Sequence, residues 1–223
     1  MDLMIESFPR LLNATKLTIE LTLLSLFFGI FVGVFFAILR TSKNKIFCYI
    51  AYYYSYIFRG TPLLVQIFII YFGLGQVEWI RESFLWIVLK EPYSCAILAF
   101  TLNTGAYSTE VFRGAVQSIH RGQFEASEVL GFKKKIYYYK IIIPQMLRLA
   151  LPNISNVWQI TLKDTSLISV TGLVEIMRMS YIAAGSTRDP LFFYSFAAVL
   201  YLFLTFVSMQ LFNKLEKHYS KGY

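Results

Sequence analysis

The sequence predicts an all-α membrane protein with about five transmembrane helices and a short cytoplasmic helix between the third and fourth. Three observations carry the membrane assignment. Of 223 residues, 57% are hydrophobic and 15% charged, against about 25% charged in a soluble domain. The apolar residues fall in runs too long and uniform for an amphipathic helix; crossing the roughly 30 Å hydrocarbon layer takes about 20 of them. Lysine and arginine gather in alternate connecting segments, the pattern of membrane topology. The net charge of +8 therefore reads as orientation, not as a nucleic-acid surface.

The elements follow in order. Residues 1–16 hold Asp2, Glu6 and Pro9 and lack a basic lead into a short apolar stretch, so no cleavable signal is expected. The first span covers 17–39, where Gly29, Gly33 and Ala37 form a small-residue stripe that lets another helix approach closely. Residues 40–60 carry Arg40, Lys43, Lys45 and Arg59 and no acid. Their tyrosine-rich middle, Tyr49 to Tyr56, suggests a helix lying on the membrane. The second span, 61–80, opens at Thr61-Pro62, where proline suits a first helical turn. The run Phe84 to Leu89 is too short to cross, and Lys90-Glu91-Pro92 closes it at the outer surface. Spans at 93–112, 149–174 and 191–212 complete the set, all within one domain, 1–223.

Segments 40–60, 113–148 and 213–223 hold 14 of the 21 basic residues; 1–16, 76–91 and 173–190 hold six, and Lys163 lies inside a span. The excess marks the cytoplasmic side, so the N-terminus is expected outside and the C-terminus inside. Cys48 and Cys95 stand far apart without a partner motif and read as small packing residues.

Segment 113–148 is too ordered for a mere connector. Gly122, Gln123, Phe124, Glu125, Ala126, Ser127, Glu128, Val129, Leu130 and Gly131 predict a short helix with acids early, complementing the dipole. Gly131 is placed to stop it in a left-handed conformation. Such a helix, with Phe124, Val129 and Leu130 to bury, suits docking on a partner. A basic loop held at the lipid surface by Lys133, Lys134 and Lys135 is the alternative, and the residues alone leave both open.

The same segment resembles the cytoplasmic signature of ABC importer permeases: Glu-Ala-Ala, three residues, Gly, nine residues, Ile-x-Leu-Pro. Glu125, Ala126, Gly131, Ile141 and Pro144 fall at that spacing, with Ser127 for the second alanine and Ile143 for the leucine. Phe58 through Gln66, Gly105 through Glu110, Arg113-Gly114-Ala115 and Lys163 through Leu167 are similar to the branch serving histidine, glutamine, arginine and opines. The resemblance implies a type I importer permease in a bacterial inner membrane, translocating a polar amino acid by alternating access. It implies ATP-binding-cassette ATPase subunits that dock on Gly122, Phe124 to Ser127, Leu130, Gly131 and Pro144. It also implies an extracytoplasmic amino-acid-binding protein and a second permease subunit, identical or related. ATP and Mg would be bound by the partner ATPase, and this chain would hold no cofactor.

The fourth span is the most polar. At about 100° per residue, Asn153, Asn156, Gln159, Lys163 and Asp164 share a stripe about 140° wide. A charge at mid-bilayer costs roughly 2.5–3.5 kcal/mol on insertion scales, so this face should meet protein or water. Lys163 and Asp164 read either as an ion pair fixing a helix interface or as part of the pathway. Asn153, Asn156 and Gln159 are pathway candidates, as are Thr61, Gln66, Asn103 and Tyr107, although such groups also bridge membrane helices. Glu110 and Arg113, three apart, suit an ion pair.

No Gly-x-x-x-x-Gly-Lys-Ser/Thr phosphate loop is present, so ATP binding by that route is excluded and no enzyme is expected. His120 and His218 lack metal-ligand spacing. A rival reading is an ion-coupled secondary carrier using Lys163 and Asp164; such carriers often show inverted repeats, and none is visible.

Overall fold

The computed structural model describes residues 2–220, with side chains from 8 to 219. All regular structure among the described residues is helical. Helix α1, Asp2–Arg40, is long and apolar enough to cross a membrane from Phe8 onward. It packs along α6, Pro92–Gln117, the most enclosed helix of the bundle. The predicted small-residue stripe makes this contact. A Cβ on Gly29 would collide with the Thr104 side chain, and one on Gly33 with Ser108. Gly105 of α6 takes the Tyr54 hydroxyl and Val32 of α1 within 3 Å of where its Cβ would stand. Helix α6 is wrapped by neighbours, so it needs no continuous apolar exterior, and its polar Thr104 donates to Phe100 O at 2.7 Å and Ser25 O at 3.0 Å.

Between them lie α2, Lys45–Gly60, and α3, Leu63–Phe68. After α3, a π turn, Ile69–Gly73, and a 3-10 turn, Leu74–Gln76, carry the chain on. Here the structure departs from the expectation of a surface helix followed by a separate span. Lys45–Gly60 and Leu63–Gln76 are two limbs bent by 103°. Tyr54 of α2 is buried, stacks on Phe36, and donates to the Leu102 carbonyl halfway along α6. Its tyrosines thus face two ways: Tyr54 packs inward, while Tyr49, Tyr53 and Tyr56 are exposed.

Two single-turn helices, α4 (Glu78–Arg81) and α5 (Trp86–Leu89), precede α6. After α6 come α7, Arg121–Val129, and α8, Lys134–Tyr137. A π turn, Tyr138–Ile142, leads into α9, Ile143–Asp164. A 3-10 stretch, Thr165–Thr171, prolongs α9 to Gly172, whose φ of +89° ends it. The expected outer loop 173–190 instead contains α10, Ile176–Thr187, bent by 52° from the segment before it. Met179, Ala183 and Ala184 of α10 pack on Leu11, Ala14 and Phe193. Helix α11, Pro190–Ser220, closes the bundle, and its stretch to Tyr219 is the second helix long and apolar enough to span alone.

Candidate docking helix and transport face

The sequence α7 adopts explains both its ends. His120 caps the start, its Nδ1 accepting from Gly122 N at 3.1 Å. Glu125 and Glu128 therefore sit in the middle and last turn, not at the start where the sequence suggested they would complement the dipole. Gly131 stops the helix as expected, with φ +69°. Gly131 N donates to Glu128 O and Phe132 N to Ser127 O, the paired bonds of a Schellman end.

Helix α7 has two faces. Ser127 is 4% exposed, and its hydroxyl donates to Gln123 O. Phe124 is half-buried and meets Tyr137 edge-on at 5.7 Å, beside Ile119 and Ile142. Burial raises the Tyr137 pKa above its ordinary value, with Tyr138 and Glu128 adding to the shift. Outward stand Glu125 and Ala126, with Val129 at 87% and Leu130 at 70% exposure. Pro144, at the start of α9, is also exposed, and Gly122 is half-buried. Phe124 and Ser127 thus bind α7 to its own chain, while Glu125, Ala126, Val129 and Leu130 face outward.

The family profile described as "Binding-protein-dependent transport system inner membrane component" matches residues 29–221. The chain belongs to this family. The permease is 42% identical over 211 residues to the nopaline transport system permease protein NocM of Agrobacterium fabrum, covering 94% of this chain and 88% of that one. It is 41% identical over 197 residues to the arginine ABC transporter permease protein ArtM of Haemophilus influenzae, covering 88% and 86%. Among solved structures, an amino acid ABC transporter crystallised with histidines superposes with a TM-score of 0.84 at 28% identity, over 96% of both chains. The inward-facing MetNI methionine transporter shares the fold at TM-score 0.75 and 15% identity. The protein is an all-α, type I importer permease, a membrane component and not an ATPase.

The predicted pathway residues fall into two groups within the permease. Thr61, Gln66 and Asn103 brace the α2–α3 break. Gln66 Nε2 donates to Phe58 O at 2.9 Å and to Thr61 Oγ1 at 2.9 Å, and Asn103 Nδ2 donates to Phe58 O at 2.9 Å. Thr61 Oγ1 in turn donates to Ile57 O. A broken helix frees carbonyls that must be satisfied where no water reaches, and these side chains do that.

Tyr107 and Asn153 instead line an open groove of about 390 Å3 with Arg59 and Glu110. Arg59 lies 5.3 Å over the Tyr107 ring, a cation–π distance. Glu110 Oε2 accepts from Arg113 at 2.7 Å. From Asn153 the polar stripe runs along the outside of α9: Asn156 and Lys163 are exposed, Asp164 half-buried. Lys163 and Asp164 do not form an ion pair, whereas Glu110 and Arg113 do. Both amide atoms of Gln159 are buried without a partner. The sequence reading missed two residues. Arg59 entered the sequence reading as a topology charge and as part of the Phe58–Gln66 resemblance, without a role of its own. Glu175, fully buried, caps α10 through Met177 N and Arg178 N and accepts from Tyr201 of α11 at 2.9 Å. Glutamate is not among the usual capping residues, so the sequence carried no plain signal of this role.

Proposed function

We propose that this permease carries a polar amino acid into the cytoplasm as one membrane half of an ATP-driven importer, its N-terminus outside and C-terminus inside. The arrangement of α7 supports the reading most directly. Val129 and Leu130 are apolar, exposed and rigidly presented by the Gly131 end. The opposite face packs on α8 through Phe124 and Tyr137, beside Ile119 and Ile142. A helix so built transmits force. ATPase subunits that bind ATP and Mg dock on it, and their closure moves the spans between inward- and outward-facing states with different contacts for the cargo.

The groove at Arg59 supports the substrate class. Its guanidinium suits an α-carboxylate, and Glu110, with Oε1 left open by Arg113, suits an α-ammonium. The relatives' names point the same way, to nopaline and arginine. The polar outside of α9 is where the second permease subunit meets this one, because lipid there would carry the full cost of Lys163. An extracytoplasmic binding protein delivers the cargo.

The test replaces Val129 and Leu130 with glutamate in the complete importer. Loss of ATPase co-purification and of uptake, with normal membrane insertion, is expected. Wild-type co-purification in the double variant rejects the docking face.

A further inference from the structure

Behind α7 lies a cavity of about 500 Å3 that neither docking nor the groove uses. Its wall is apolar: Val34 and Ile38 of α1, Phe112 and Val116 of α6, Met146 and Leu147 of α9. Phe124 supplies the α7 side. Left empty, a space this large forfeits the packing contacts of its lining.

Its polar groups are cationic or neutral. Arg113 lines the wall, and Thr41 opens the α1–α2 turn. Arg113 gives Nε and Nη2 to Glu110 and Nη1 to Gln117, which leaves two of its five N–H groups. Lys43, two residues beyond Thr41, is exposed, while Arg40 turns to Cys48 and the Tyr52 ring. An apolar slot with a basic mouth on the cytoplasmic side fits a lipid with a negative headgroup.

We propose that this cavity holds an acyl chain of an anionic membrane phospholipid, with its headgroup at the mouth formed by Arg113 and the turn carrying Lys43. The chain would fill the space between Phe124 and the spans, and so stiffen the join through which α7 acts. That last consequence rests on the docking reading; the lipid site does not.

The complete importer is reconstituted in vesicles of equal phosphatidylglycerol and phosphatidylcholine, re-extracted in mild detergent, and its retained lipid measured by mass spectrometry. Wild type is expected to keep phosphatidylglycerol over phosphatidylcholine. Lys43→Gln should weaken that retention about fivefold, the effect of one basic residue near a membrane surface. Val116→Trp, which fills the slot, should abolish it. Equal retention of both lipids, or wild-type retention in Lys43→Gln, overturns the proposal. So does a cross-link from Ile38→Cys to an ATPase or second permease, which would make the slot a protein contact. Should Val116→Trp fail to assemble, Lys43→Gln decides alone, because it alters only an exposed turn. ATPase co-purification is followed in parallel in the Val129/Leu130 double variant: wild-type co-purification there sinks the docking reading and leaves the lipid site standing, whereas absence of lipid selectivity in the wild type sinks this one alone.

Discussion

The α1–α6 contact and the outer face of α9 are both polar helix surfaces inside a membrane protein, and they are finished to different degrees. At α1–α6, glycines bring the backbones together and Thr104 donates to carbonyls of both helices, so the contact is closed by packing even though the Ser25 and Ser108 hydroxyls are buried there without a partner. On α9, Asn153, Asn156 and Lys163 stand exposed, and Gln159 is buried without a bond. One is a closed interface within a chain. The other is left open by this chain.

Substitutions can break this contrast, beginning with the largest effect. Gly29→Leu drives a side chain into Thr104 and the backbone of Gly105. Overpacking costs typically about 1–3 kcal/mol where neighbours can yield. Here backbone stands in the way, so we expect the top of that range or more, read as failure to accumulate in membranes. Glu175→Leu leaves two amides unmet and takes one acceptor from the Tyr201 hydroxyl. The expected loss is about 2–3 kcal/mol, seen as a lower thermal midpoint in detergent, and Glu175→Gln should recover most of it. A midpoint unchanged in Glu175→Leu would show that the network carries no stability. Tyr54→Phe removes one bond, to Leu102 O, and should cost about 1 kcal/mol.

The smallest stability effect is the most informative. Lys163→Met should leave the isolated chain within about 0.5 kcal/mol of wild type, as exposed positions generally do. Pairing with the second permease, measured by cross-linking in membranes, should change. A strongly destabilised single chain would mean that the α9 face is internal after all.

Much of this was legible because the responsible physics is local. The Gly29–Gly33–Ala37 spacing announced a close helix contact, and Gly131 announced a left-handed stop; both depend on residues a few positions apart. The α2–α3 limb was misjudged because an amphipathic tyrosine helix looks alike whether its apolar side meets lipid or α6. Only Leu102, 48 residues from Tyr54, distinguishes the two. Gln66 and Asn103 looked like transport groups for the same reason, since the carbonyls they satisfy exist only once the chain has bent. Glu175 escaped notice because Tyr201 lies 26 residues away. Arg59 was hidden by arithmetic: as one cation among many it helped set sidedness, and nothing in its neighbours revealed Tyr107.

The π turn at Tyr138–Ile142 sets an azimuth. Such a turn holds one residue more than the α-helical path it replaces, and one residue is worth about 100° of rotation at 3.6 per turn. It fixes the dihedral relation between the segment bolted to α7 and the side of α9 that bears Asn153. Deleting Tyr139 would let the helix run straight and swing one relative to the other by about a quarter turn, aiming Lys163 at a different neighbour. A single inserted residue therefore acts as the keyway that sets α7 and the polar face of α9 at their mutual angle.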